Sequence, residues 1–223
     1  EWEACEALAA VLAEQGRRPT DEELKALPQE TLSLDVAMFG RMRAKASTLK
    51  VESAIAVSPL LSTGSVAIEA DNWTALDDLN PVGAGGMNEI EFASSVMYGY
   101  VCIDVDQLVK NLDGAVEIAR SAICALMKAI AFVGPTAMRS RFAHNVLPSL
   151  YRVEKGPALY SHQGAFTEAV RGSNVVCESI TRLREHAEQS AKTFDLQIES
   201  WEASPDNSIG AVIDAATAHV IAS

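Results

Sequence analysis

Between Glu89 and Ile103 six apolar or aromatic side chains share one parity, since Ile90, Phe92, Val96, Tyr98, Tyr100 and Cys102 are all even-numbered. Successive side chains of a strand point to opposite faces, so this spacing predicts a long strand with one face on a core. A helix is predicted directly afterwards, from Gly114 to about Phe132. A chain that switches period in this way has to build helices and sheet around one core.

The remaining segments extend that pattern. Trp2, Leu8, Val11 and Leu12 stand at helical spacing and Gly16 stops the run. Thr20-Asp21-Glu22-Glu23 reads as a capping box, and Pro28 marks the end of its short helix. Ser33 is placed to cap a helix through Met42, with Val36, Phe39 and Arg43 on one side and Met38 and Met42 on another. From Val51 to Asp71 β-branched residues between Ser58-Pro59 and Thr63-Gly64-Ser65 breakers predict a hairpin or two strands. Pro81, Gly83, Gly85 and Gly86 predict a loop. Further on, strands are predicted over 146–153 and 194–199, a helix capped by Ser173 reaches about Ala191, and an apolar helix closes the sequence to Ile221. Strands and helices alternate loosely, which favours an α+β fold.

Composition narrows the function classes. With 48% hydrophobic and 22% charged residues the chain is of ordinary globular type. Its net charge of −12 argues against nucleic acid, because phosphate binding draws on clustered Lys and Arg. Binding is local, however, and Arg41, Arg43, Lys45 and Lys50 form a basic island with no acid between 41 and 50. Cys5, Cys102, Cys124 and Cys177 are too far apart for a zinc or redox motif, and Cys102 and Cys124 read as small buried hydrophobes. No apolar run approaches the roughly 20 residues that span a bilayer. No membrane partner is expected, and a reducing cytoplasm is the default location.

No nucleophile–base pair, P-loop or dinucleotide fingerprint is present, and His144, His162, His186 and His219 are isolated in the sequence. Asp77 with Asp78, and Glu89 with Glu91, are the only carboxylate clusters suited to a hard cation such as Mg²⁺. Neighbouring acids in a strand point in different directions, so a structural role is favoured, and no cofactor is expected.

Two blocks carry a family resemblance: Leu34-Asp35-Val36-Ala37-Met38-Phe39-Gly40-Arg41-Met42, and Asp71-Asn72-Trp73-Thr74-Ala75-Leu76-Asp77-Asp78-Leu79. Together they resemble the CasC family, the backbone subunit of the type I-E CRISPR surveillance complex Cascade. Glu89 to Asp104 and Val170-Arg171-Gly172-Ser173-Asn174 echo the same family at the level of pattern. Two departures stand out. In 134–143 Met138 and Arg139 occupy the positions of a family Lys and Gln, and in 50–61 the family's Gln-Val-Ala-His is lost. The chain starts at Glu1 without Met, and the family's N-terminal part is expected to be missing.

The resemblance implies an RNA-recognition-motif-like (ferredoxin-like) palm with helical insertions and a β-hairpin thumb. It places the thumb region at 32–80, with its hairpin near 50–75, and the palm and helical part at 81–223, within one body spanning 1–223. It implies a non-enzymatic subunit that binds crRNA, presents it to the target DNA strand, and repeats in a helical filament with other Cascade subunits. Met42 and Trp73 with Thr74 would wedge and stack the guide, and Arg41, Arg43, Lys45, Arg139 and Arg141 would meet its phosphates. The alternatives are a metal-dependent nuclease using Asp77 or Asp78, and a scaffold module that no longer binds RNA.

Overall fold

The computed structural model describes residues 2–26, 33–42, 50–76 and 84–218. In chain order these form α1 (Trp2–Gln15), α2 (Asp21–Lys25), α3 (Leu34–Phe39), β1 (Ile55–Val57), β2 (Leu61–Ser62), β3 (Glu69–Leu76), β4 (Ala84–Phe92), β5 (Met97–Tyr98), β6 (Val101–Ile103), α4 (Val105–Asn111), α5 (Val116–Phe132), α6 (Arg139–Phe142), β7 (Arg152–Lys155), a 3-10 turn (His162–Phe166), α7 (Val175–Thr193), β8 (Glu199–Glu202) and α8 (Ile209–Ala218). This is a mixed α+β architecture. Among the described residues the strands pair in four two-stranded antiparallel sheets, β1–β6, β2–β5, β3–β4 and β7–β8.

The chain divides into two compact units. The first comprises Glu1–Val57, Val101–Tyr160 and Leu196–Ser223. Its core is organised by α5, which buries Ala119, Ala122, Ile123, Met127 and Ala131 along one stripe. Small residues there let α8 approach with Val212, Ile213 and Ala216. Leu108, Leu112 and Ile213 are sealed from solvent, and each such side chain contributes about 1.5–3 kcal/mol by leaving water. Asp104 caps α4 by accepting from the Gln107 amide at 2.9 Å. At the far end of α4 the Asn111 amide nitrogen donates to the Ala37 and Glu52 carbonyls, both at 2.8 Å, and so ties α3 to the segment that enters β1.

The second unit comprises Ser58–Tyr100 and Ser161–Asp195. Here the Thr63 amide donates to Val96 at 3.0 Å and the Val170 amide donates to Thr63 at 2.8 Å. The buried Ser179 hydroxyl then donates to the Thr63 hydroxyl at 2.8 Å, which fastens α7 beside the bend that follows β2. Tyr98 packs on Phe166 with ring centroids 5.4 Å apart. The β3–β4 hairpin belongs to this unit and pairs Glu69 with Phe92 through to Leu76 with Ala84, with an irregularity at Ala75/Leu76.

Several expectations change in the structure. The helix capped by Ser33 ends at Phe39, because Gly40 turns away at φ 77°, so Met38 and Met42 share no helical face. The Ser33 hydroxyl bonds to Asp35 and makes no backbone cap. The strands in 51–71 pair with β5 and β6, and the hairpin is built from 69–92, further along than 50–75. Gly85 and Gly86 therefore lie in β4. The predicted long strand from Glu89 is divided among the end of β4 and the short β5 and β6, since residues 93–96 and 99–100 break it. The strand expected over 146–153 begins at Arg152, that over 194–199 begins at Glu199, and Asn174 takes the capping position expected of Ser173. Helix α4 was not anticipated. Cys102 and Cys124 are half-buried. The predicted end at Pro28 and the C-terminus beyond Ala218 lie outside the described residues.

Candidate nucleic-acid interface

The first block is largely architectural. Ala37 and Met38 enter the core of the first unit, at 0% and 7% exposure. Gly40 has φ 77° and ψ 173°, a region that is essentially glycine's own. A Cβ there would stand 2.8 Å from the Val51 carbonyl oxygen and 2.9 Å from the Ser53 amide nitrogen. The close approach lets Arg41 and Val51 exchange backbone hydrogen bonds of 2.9 and 3.0 Å. Beyond that bridge Met42 stands 87% exposed. Burial thus separates the two methionines, and Met42 is the one available to a partner.

Two members of the basic island are described. Arg41 is half-buried at the bridge, and Lys50 pairs with Glu52 at 2.7 Å, holding that carboxyl below the usual range. Arg43 and Lys45 lie outside the described residues, as do Asp77 and Asp78.

The second block forms β3. Its register puts Trp73 opposite Asn88 and Ala75 opposite Gly86, all on one face, while Thr74 opposes Met87 on the other. Trp73 is 41% exposed, and its ring lies over Gly86, 3.8 Å from where a Gly86 Cβ would be. Trp73 and Thr74 are neighbours in sequence and back to back in space. Glu89 and Glu91 do share a face, on the Thr74 side, as the strand reading requires. Met42 belongs to the first unit and Trp73 to the second.

Arg139 and Arg141 sit on α6, a single turn bounded by left-handed Met138 (φ 56°) and Ala143 (φ 47°). The Arg139 guanidinium donates to the Asn145 side-chain oxygen at 3.0 and 3.2 Å when that amide is oriented to receive it. The Arg141 guanidinium lies 5.7 Å from the Phe142 ring centroid. Thr136, Met138, Arg139, Ser140, Ala143 and Asn145 line an open groove of about 550 Å³. A planar guanidinium held in such a groove can meet a phosphate through two parallel hydrogen bonds.

One pairing escaped sequence reasoning. His162 and His186, 24 residues apart, bring their Nδ1 atoms to 3.4 Å, and His162 is only 6% exposed. Burial and the neighbouring His162 lower the pKa of His186. Nothing in their spacing signals this contact, which depends on how the 3-10 turn packs against α7. Among the described residues no group of three His, Cys, Asp or Glu is placed to hold a metal ion, and no helix is long and apolar enough to cross a membrane.

The fold has counterparts in solved structures. A chain of a CRISPR RNA-guided surveillance complex in a pre-nicking state superposes with a TM-score of 0.78 at 24% identity, covering 96% of this chain and 64% of that one. A chain of a second CRISPR RNA-guided surveillance complex gives a TM-score of 0.72 at 25% identity, covering 84% of this chain and 78% of that one. The chain thus spans somewhat less than two thirds of the first neighbour's length. No curated protein matches the sequence. Residues 2–219 match the family model of the CT1975-like proteins, a Cas family, and the chain belongs to that family.

Proposed function

We propose that this chain is a backbone subunit of a CRISPR surveillance complex of the type I-E kind, a CasC-like protein that repeats along a crRNA and displays it to a target DNA strand. The supporting observation is the fold shared over 96% of the chain with a subunit of an RNA-guided surveillance complex. Base pairing between guide and target then reads the sequence, and the protein needs only to hold the guide by shape and charge. The chain acts without catalysis and assembles with other Cascade subunits. In this reading the first unit contains the RNA-recognition-motif-like palm and the β3–β4 hairpin is the thumb.

Each site residue takes a role in this reading. The exposed indole of Trp73 offers a base a stacking surface worth about 1–3 kcal/mol. Met42, fully outside the core, wedges beside the strand. Arg41, Arg43, Lys45, Arg139 and Arg141 meet phosphates, and Thr74 contacts the guide from the other hairpin face. Copies related head to tail would generate an open helical filament.

Binding of a labelled single-stranded RNA, measured between 50 and 200 mM salt, tests the phosphate contacts. The expected result is a steep linear fall of log affinity with log salt, with a slope of about −0.7 per phosphate neutralised. A flat profile would mean a scaffold without RNA contacts. Cleavage of that RNA in Mg²⁺, lost on Asp78→Asn, would mean a nuclease.

A further inference from the structure

The turn that carries Arg139 is held in a conformation its residues do not favour. Met138 at φ 56° and Ala143 at φ 47° are both left-handed without being glycine, and such residues persist only where surrounding contacts over-determine them. Those contacts close the segment on itself. The Arg139 amide donates to the Thr136 carbonyl at 3.3 Å, and the Ala143 amide donates to the Arg139 carbonyl at 2.9 Å. His144 donates from Nε2 to the Pro135 carbonyl at 3.1 Å. The last contact joins side chains. With its amide oriented to receive them, the Asn145 oxygen accepts from Arg139 Nε at 3.0 Å and from Nη2 at 3.2 Å.

Other arginines of the chain are held differently. Arg17 pairs with Glu23, Arg152 with Glu154 and Glu202, and Arg182 with Glu178, so each of these has its charge answered by a carboxylate. Arg139 is held by a neutral amide, in a stretch from 118 to 153 with five Lys and Arg and no Asp or Glu. An amide fixes the plane of a guanidinium and leaves its full charge to a ligand. Asn145 also takes only the side-on edge. Nη1 and Nη2 each keep an N–H on the end-on edge, where parallel donors suit two oxygens of one phosphate. Both residues line the open groove beside α6.

We infer that Asn145 is a positioning residue for nucleic acid, which sets the Arg139 guanidinium so that its Nη1–Nη2 edge meets one phosphate with its charge intact. The role presupposes that the chain binds a guide strand, and it adds a residue and a direction of approach to that reading. Asn145 acts through Arg139, so its removal costs orientation and not charge.

The test is a titration of labelled single-stranded RNA between 50 and 200 mM salt, with circular dichroism confirming the fold of each variant. Arg139→Ala is expected to weaken binding about tenfold and to reduce the salt slope by about 0.7, the share of one phosphate. Asn145→Ala should weaken binding about threefold through lost preorganisation, at an unchanged slope, and should cost nothing further once Arg139 is replaced by Ala. Asn145→Asp should reduce the slope as Arg139→Ala does, because the new carboxylate answers the cation. In RNA-free protein the Arg139 Nε–H, followed by NMR, should exchange with water more slowly in wild type than in Asn145→Ala. Equal slopes for Asn145→Ala and Asn145→Asp would overturn the positioning role and leave guide binding standing. So would a slope unchanged by Arg139→Ala, an Asn145→Ala cost that persists without Arg139, or an Nε–H that exchanges equally fast in both proteins. A wild type that binds no RNA would overturn both.

Discussion

Trp73 lies across Gly86 from the paired strand, with two carbons of its six-membered ring 3.8 Å from the point where a Gly86 side chain would begin. The glycine gives the indole a floor on one side, and Trp73 as a whole stays 41% exposed. A ring held in this way offers a π-face at little entropic cost, as a stacking platform requires.

That relationship predicts a graded response at position 86. Gly86→Ala adds a Cβ at ordinary contact distance and should leave RNA affinity within about twofold of wild type. Gly86→Val adds methyls against the ring and should displace it, weakening RNA binding about tenfold, within the range expected for one stacked base. Fluorescence titration of both variants with the same RNA checks the contrast.

Gly40 is required by the backbone. Its conformation suits no L side chain, and a Cβ would press on the Val51 carbonyl and the Ser53 amide. Gly40→Ala should destabilise the first unit by about 3 kcal/mol, combining backbone strain with overpacking. Urea denaturation followed by circular dichroism measures this. Asparagine, which tolerates positive φ elsewhere, should do no better here, since it carries the same Cβ.

The His162–His186 contact gives the second unit a pH dependence of definite sign. The folded-state pKa of His186 is lowered from its ordinary 6.5 by burial and by His162. Below about pH 6.5 the unfolded chain therefore binds more protons at this group than the folded one, so stability is lost as pH falls from 6.5 towards the folded-state pKa. Hydrogen exchange of α7 amides, corrected for intrinsic rates, should show protection falling over that window. His186→Gln should flatten the profile.

Much of this was legible in the sequence, for identifiable reasons. The Thr20–Glu23 capping box forms as read, because its signal is local and complete within four residues. The span of α5 was nearly right because a stripe of apolar residues at helical spacing has few alternatives. The β5–β6 region misled because its parity is real while its pairing is not continuous, with Leu61 drawing Tyr98 to one partner and Val57 drawing Val101 to another. The family motif singled out Met42 over Met38 and named Trp73 with Thr74; the structure adds that Met38 lies in the core while Met42 is exposed, and that register turns Trp73 and Thr74 to opposite faces. The His pair, like the Asn111 link to Ala37, depends on long-range packing that no local pattern encodes.

In the proposed function the chain holds a guide strand through the open face of Trp73 and through Met42. The most direct measurement is the affinity of wild type and of the Trp73→Ala, Met42→Ala double variant for one single-stranded RNA at a fixed 150 mM salt, with circular dichroism to confirm an unchanged fold. The double variant is expected to bind about 5- to 150-fold more weakly, the equivalent of about 1–3 kcal/mol for a lost stacked base. Equal affinity in a folded double variant would contradict it.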